Sequence, residues 1–148
     1  HSSPPWEDLD HPMVVLNEYG AGRAVYSAAA IETHDSDAQA KLFVALVRML
    51  LDGEYAYTAE AHPALWMSVF DQREKNRLMA SFLNYQAELP PVPVRVRFSL
   101  RPPYGKRFRS LRMVPEESAL KFALDSDGTL RSEIGSVDLL AMVLAEYE

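Results

Sequence analysis

The sequence predicts an α+β protein in which a partial α/β segment of hairpin, helix and strand precedes an antiparallel β-sandwich. Apolar residues recur at helical spacing in one stretch, residues 38–52. After Pro63 they alternate with polar residues, in runs at the roughly ten-residue spacing typical of small sandwiches. We therefore expect two domains, an α/β part over residues 1–62 and a sandwich over residues 63–148.

The first segment begins with a strand and a turn. Residues 13–16 form a continuous apolar run, which is typical of a strand buried on both faces. The turn 17–22 contains Gly20 and Gly22, and we expect both to supply positive φ. Residues 23–29 then return as the second strand of a hairpin.

A helix is predicted next, over residues 38–52, with Asp35 or Ser36 as the N-cap and Gly53 as the stop. A short strand over residues 55–59 is expected to follow. The apolar helix positions share one face and are Leu42, Phe43, Leu46, Val47, Leu50 and Leu51.

The sandwich strands are predicted from strict alternation and from the turns between them. The expected strands cover residues 65–70, 77–86, 92–100, 108–114, 120–124, 130–134 and 137–147. Polar or Pro-rich turns separate several of them, including residues 71–76 and the Asp-Ser-Asp-Gly turn at 125–128.

Composition excludes several function classes. The 148 residues are 48% hydrophobic, which is enough for a folded core, but no apolar run approaches the length of a membrane span. The chain contains no cysteine, which excludes disulfides, thiolate zinc sites and cysteine nucleophiles, and is compatible with the cytoplasm, which we favour, or with export.

Charge is distributed unevenly. Residues 1–62 contain 3 basic and 10 acidic residues, whereas residues 63–148 contain 12 and 11. The overall net charge of -6 argues against nucleic acid as a partner.

Four segments resemble a known family. Residues 11–26, HPMVVLNEYGAGRAVY, resemble a segment of the glutamine-amidotransferase-like domain of trimeric bacterial β-galactosidases and related glycosidases. Three later segments resemble strands and a turn of the small β-domain that follows it: LNYQ at 83–86, VPE at 114–116 and VDLLAMVL at 137–144. Their order along the chain matches that family.

This resemblance implies a role in assembly. In those enzymes the amidotransferase-like domain follows a catalytic (β/α)₈ barrel and helps to form the oligomer. The paired catalytic carboxylates lie on the barrel, for which this sequence has no counterpart. The resemblance therefore implies a non-catalytic region, not an enzyme by itself, whose partners are the barrel of the parent polypeptide and further copies in a homo-oligomer.

No catalytic, cofactor-binding or metal-ligating residue is predicted. The acid pairs lie in turns, where Asp commonly caps or is solvated. His11, His34 and His62 are not at ligand spacing, and the Asp125–Gly128 turn lacks the downstream ligands of a calcium loop. The candidates for contact with sugar or with a partner are Trp6, Tyr19, Arg23, Tyr26, Trp66, Arg95, Arg97 and Tyr104.

Three hypotheses follow. The first is the non-catalytic assembly region of a glycoside-hydrolase-like protein. The second is a carbohydrate-binding module in which Trp6 or Trp66 stacks on sugar rings. The third, a small independent enzyme, would require a concave site with a carboxylate pair of perturbed pKa. For the arginines around Arg95 and Arg97 we weigh an anionic partner against a solvated strand face.

Overall fold

The computed structural model describes residues 10–31, 33, 36–51, 55–86 and 91–148. They belong to two compact units, His1–Glu54 and Tyr55–Glu148. The first unit contains a two-stranded sheet and one helix, and the second contains two four-stranded antiparallel sheets.

The first unit starts with the predicted hairpin. Strand β1 (Val14–Tyr19) pairs antiparallel with β2 (Gly22–Ser27) through a two-residue turn. Gly20 occupies the first turn position with φ of 60°, which a type II′ turn requires of its first residue. Gly22 lies outside the positive-φ region because it already forms the last pair of the ladder, opposite Tyr19, so the prediction of two left-handed glycines is wrong for Gly22.

The helix α1 (Asp37–Leu50) also lies where the sequence predicts it. Ser36 precedes it with an extended backbone, and its carbonyl accepts the first helical hydrogen bond from the amide of Ala40 at 2.9 Å. The Ser36 side chain makes no capping bond, whereas Asp37 places a negative charge in the first turn. The other predicted cap and stop, Asp35 and Gly53, lie outside the described residues.

Eight strands build the second unit. They are β3 (Tyr57–Ala61), β4 (Leu65–Gln72), β5 (Arg77–Asn84), β6 (Val94–Leu100), β7 (Phe108–Val114), β8 (Phe122–Leu124), β9 (Leu130–Val137) and β10 (Leu140–Tyr147). One sheet has the order β4-β5-β10-β7 and the other the order β3-β6-β9-β8. The predicted antiparallel β-sandwich is confirmed.

The predicted boundary after residue 62 differs from the division between Glu54 and Tyr55. The reason is strand β3, which pairs along its whole length with β6 and so belongs to the sandwich. Its partners follow it by about 40 positions in the chain (Ala61 opposite Val96, Tyr57 opposite Leu100), so local sequence gives no sign of which sheet it joins. The α/β segment therefore loses its predicted final strand.

The predicted long strand over 137–147 is divided in the structure. Val137 ends β9, and a turn at Asp138 and Leu139 leads into β10. Between Ile134 and Val137 the register with β6 shifts, because three steps along β9 oppose two along β6. This bulge at Gly135 and Ser136 interrupts the alternation, which is why the sequence pattern places the chain reversal too early.

The core lies between the inner faces of the two sheets. Phe82 on β5 and Phe98 on β6 meet there, with ring centroids 4.9 Å apart and ring planes inclined by 52°. The largest fully buried side chains come from both sheets and are Phe82, Leu100, Leu130, Val96, Val137 and Val143, together with Asn84.

Asn84 is a buried polar connection at one end of this core. Its side-chain amide donates to the carbonyls of Val92 at 3.0 Å, Val137 at 3.1 Å and Asp138 at 2.9 Å. Its oxygen accepts from the amide of Gln86 at 2.9 Å. One side chain thus fixes the end of β5, the approach to β6 and the turn between β9 and β10.

Replacing Asn84 with aspartate should destabilise the second unit. The Asn84→Asp variant exchanges an amide donor for a carboxylate that faces three carbonyl oxygens, which should cost about 3 kcal/mol of unfolding free energy. Urea unfolding measures the difference. Asn76→Asp at an exposed turn position serves as control, because the same substitution there leaves the new carboxylate hydrated. Equal losses in the two variants would contradict the buried role of Asn84.

Two phenylalanines of one sheet offer a test of the core. Phe82 is 0% exposed and Phe70, which points outward from β4, is 55% exposed. Phe82→Ala should lower the unfolding free energy by about 3–5 kcal/mol through lost transfer energy and a cavity. Phe70→Ala should change the stability of the 148-residue chain by less than about 1 kcal/mol. Similar urea midpoints for the two variants would refute this assignment of the inner and outer faces.

Candidate functional site

The two outer faces of the sandwich differ in chemistry, and each is a candidate contact surface. The outer face of the sheet β3-β6-β9-β8 carries an open cleft of about 630 Å³. We call this surface the polar face. Its cleft is lined by the polar side chains of Thr58, Glu60, Arg97, Lys121, Arg131 and Glu133, together with apolar residues such as Phe122 and Ala123.

A ladder of ion pairs crosses the polar face. Arg97 on β6 stands opposite Glu60 on β3 and Glu133 on β9. Its guanidinium lies 3.6 Å from the Glu60 carboxylate and 3.3 Å from that of Glu133, and Arg95 pairs with the same Glu133 oxygen at 2.5 Å. The hydroxyls of Thr58 and Ser99 lie 2.6 Å apart beside the ladder. The register of three strands therefore sets two arginines against two glutamates.

Arg95 and Arg97 are paired with acids of their own sheet. Such pairs are typical of a solvated strand face, and contact of these arginines with an anionic partner stays a prediction. Opposite charges on neighbouring strands also stabilise the pairing modestly. The binding role predicted for these two residues gains no support from their contacts.

One carboxyl group of the cleft has a lowered pKa. Hydrogen bonding from Arg95 lowers the pKa of Glu133, and Arg97 acts in the same direction. A general acid requires a raised pKa. Among the described residues, each carboxyl group whose pKa clearly departs from its ordinary value is shifted downward, namely Asp127, Glu133 and Glu146.

The ladder should make stability depend on pH in a defined direction. Because the folded pKa of Glu133 lies below its ordinary value of 4.5, its contribution is present above that value and is lost as pH falls through the folded pKa. Glu133→Gln should therefore be less stable than wild type at about pH 7 and equal to it at about pH 2.

Urea midpoints across this range measure the effect, and Glu60→Gln serves as control because Glu60 makes only the longer pair. A stability difference between wild type and Glu133→Gln that persists at the acid end would contradict this role of the ion pairs.

The opposite outer face, on the sheet β4-β5-β10-β7, is apolar. Trp66, Leu83 and Leu140 form one cross-strand row on it, and Phe70 lies further along β4. Trp66 is 66% exposed and Leu140 is 53% exposed. We call this surface, defined by Trp66, Phe70, Leu83, Tyr85 and Leu140, the apolar face.

A polar border surrounds one end of the apolar face. The carboxylate of Glu146 accepts a hydrogen bond from the hydroxyl of Ser110 at 2.9 Å and pairs with Arg112 at 3.4 Å. Arg77 donates to the side chain of Gln72 at 2.7 Å. An exposed apolar patch with aromatic residues, bordered on one side by arginine-containing polar contacts, has a composition found in protein interfaces.

Trp66 and Tyr85 form an exposed aromatic pair at the other end of the apolar face. Their ring centroids lie 6.4 Å apart, and their planes are inclined by 54°. Both side chains are about two-thirds exposed. The sequence predicts that Trp66 lies on one face of a sheet. Its contact with Tyr85 follows from strand register, because the backbone amide of Tyr85 donates to the carbonyl of Ala64, two residues before Trp66.

The first unit also exposes apolar side chains. None of the residues of α1 is buried, although the predicted apolar face is present, and Ile31 is the buried hydrophobic residue among those described in this unit. A groove of about 190 Å³ lies between the helix and β2, and its apolar lining includes Val25, Ile31, Phe43 and Leu50. The apolar face of α1 is therefore less buried than its sequence pattern predicts.

The remaining predicted contact residues of the first unit do not form one site. Arg23 donates from Nε to Glu18 at 3.1 Å and from Nη1 to the carbonyl of Met49 at 3.3 Å, so it holds the end of α1 against the hairpin. Tyr19 lies exposed at the hairpin turn, and Tyr26 is exposed on β2. Arg23 is therefore structural within its unit.

Two further predicted residues lie apart from these. Tyr104 is fully exposed beside Gly105, in a turn of the second unit where that glycine has φ of 73°. Trp6 lies outside the described residues. The sequence analysis missed Glu60, Glu133 and Lys121 as parts of the cleft, because only strand register brings them together.

Among the described residues, no group of three or more His, Cys, Asp or Glu side chains could hold a metal ion. Within the same ranges, no helix is both long enough and apolar enough to cross a membrane.

Comparisons with known proteins identify a similar fold. α-L-Fucosidase isoenzyme 2 from Paenibacillus thiaminolyticus matches with a TM-score of 0.74 and 17% identity, over 99% of this chain and 23% of that chain. No protein-family model matches the sequence, and no curated protein matches it. The chain therefore shares its fold with about a quarter of a glycoside hydrolase chain.

Proposed function

We propose that this chain is the non-catalytic C-terminal assembly and support region of a multidomain glycoside-hydrolase-like protein. The apolar face carries the proposal, because it leaves Trp66, Phe70, Leu83 and Leu140 exposed to water on one side of a regular sheet, in a patch that reaches its edge strand β4. Burying a large apolar side chain contributes about 1.5–3 kcal/mol. Docking of this face against other protein surface would thus be favourable.

The first unit supports the same function. A two-stranded hairpin is marginally stable alone, and a single amphipathic helix gains most of its stability from packing. Here the helix contributes no buried residue. We propose that residues 1–54 form part of a larger, amidotransferase-like α/β domain, whose remaining elements cover the apolar side chains of α1.

The chemistry of the cleft favours support over catalysis. Glu133 is held ionised by two arginines, which suits cross-strand pairing and opposes proton donation. The proposed catalytic groups therefore belong to a barrel elsewhere in the complete protein. The sequence resemblance points to β-galactosidases and the similar fold to an α-L-fucosidase, so the proposal specifies a glycosidase class and no particular sugar.

An experiment on the protein as the cell produces it tests this proposal. The double variant Trp66→Ser, Leu140→Ser removes the apolar row, and Tyr104→Ser is the control at a fully exposed turn. In the 148-residue chain both variants should unfold near the wild-type midpoint. In the complete protein the double variant alone should lower the midpoint by several degrees or dissociate the oligomer.

Hydrolysis of nitrophenyl β-galactoside and α-fucoside provides the second readout. Glu60→Gln and Glu133→Gln should leave any such activity of the complete protein unchanged. Hydrolysis by the 148-residue chain itself would refute the non-catalytic assignment. An apolar-face variant that leaves both mass and midpoint of the complete protein unchanged would refute docking.

A second candidate function is carbohydrate binding, favoured by the pair Trp66 and Tyr85. Two exposed rings inclined by 54° form a continuous aromatic surface on which the apolar face of one sugar residue can stack. Calorimetry with galacto- and fuco-oligosaccharides should then give binding that is lost in Trp66→Ala and retained in Phe70→Ala. Absence of heat with every sugar would eliminate this candidate.

A further inference from the structure

Strand β1 of the first unit begins with apolar residues and has one edge that pairs with no strand among the described residues. Among the described residues, β1 pairs with β2 alone, which leaves its other edge open. The amide of Ala28 donates to the carbonyl of Met13 at 2.8 Å, so this pair is hydrogen-bonded and the pairs alternate along the ladder. The N–H and C=O groups of Val14, Leu16 and Glu18 therefore point away from β2.

Both faces of β1 carry uncovered apolar side chains. Leu16 stands opposite Val25, on the face that α1 covers. Val25 lines the groove beneath the helix and is half-buried, but Leu16 is 42% exposed. On the other face, Val15 and its partner Tyr26 are exposed as well. Within the described ranges the helix thus covers β2 more than β1, of which only Val14 is half-buried and whose outward edge has no strand partner.

The two strands differ in where their polar residues lie. The run from Met13 to Leu16 is apolar at every position, as in strands buried on both faces of a sheet, and the polar residues of β1, Asn17 and Glu18, follow it towards the turn. Strand β2 mixes Gly22, Arg23 and Ser27 with apolar residues, and charged or short edges discourage further pairing. Parallel sheets of α/β proteins commonly end in one antiparallel edge strand, a place that β2 suits.

We infer that the open edge of β1 takes up one further strand, parallel to β1 and apolar on both faces, from the remainder of a longer glycoside-hydrolase-like polypeptide. This inference rests on the proposed function, because both place residues 1–54 in a larger domain. The similar α-L-fucosidase chain matches across 99% of this chain, first unit included, while 77% of that chain lies outside the match. Residues 1–9 do not suit the role, since Pro4, Pro5, Glu7 and Asp8 break the required apolar pattern.

Amide hydrogen exchange, resolved to single residues, tests the inference on the protein as isolated from its source. The outward amides of Val14, Leu16 and Glu18 should be protected to within about tenfold of the inward amides of Val15 and Asn17. The outward amide of Val25 on β2 is the internal control and should exchange about 100-fold faster than these. Fast exchange at Leu16, equal to that at Val25, would overturn the inference.

A pair of proline variants gives a second readout. Leu16→Pro and Val25→Pro each remove one outward N–H, and the second also disturbs packing beneath α1. If β1 is interior, Leu16→Pro should still lower the unfolding midpoint of the complete protein more than Val25→Pro does. A larger effect of Val25→Pro would count against the inference.

Two other experimental outcomes distinguish strand addition from self-association and from the proposed assembly role. Protection at Leu16 that disappears on dilution to monomer would identify a second copy as the occupant and overturn the inference. The proposed function is judged from variants of the apolar face in the second unit, which do not involve β1. Unprotected β1 amides with an intact effect of Trp66→Ser, Leu140→Ser would therefore refute strand addition and leave the assembly role standing.

Discussion

Packing of the two inner sheet faces around Phe82 and Phe98 is the interaction on which the second unit depends. Because side chains alternate across a strand, fixing these residues inward fixes their neighbours outward. Phe82 inside places Leu83 outside, and Phe98 inside places Arg97 outside. The chemistry of each outer face is therefore a direct consequence of the core register.

That register gives the two outer faces different chemical character. On the polar face, cross-strand neighbours have opposite charges, so Arg97 is satisfied between Glu60 and Glu133 without any outside partner. On the apolar face, the side chains of Trp66, Leu83 and Leu140 remain exposed to water. A paired, charged surface and an exposed apolar surface therefore lie on the two sides of one core, and the proposed docking concerns the second.

The two units also differ in how much of their own stabilisation they contain. The sandwich buries a continuous cluster from both sheets and closes one end with the amide of Asn84. The first unit has a well-formed hairpin and helix, joined by the contact of Arg23 with the end of α1. Local hydrogen bonds define its elements, but its apolar helix face is left without a core, which suits a role as part of a larger domain.

Local sequence patterns are sufficient to predict the sandwich, the hairpin and the helix, because alternation, helical spacing and turn residues such as Gly20 are local signals. Long-range pairing sets which sheet β3 joins, since its partners lie far along the chain, and a bulge at Gly135 that breaks the local period sets where β9 ends. Long-range pairing also sets which side chains are neighbours on each outer face. Trp66 meets Tyr85, and Glu60 meets Arg97, only because strand register, which no single segment specifies, brings distant residues to the same face.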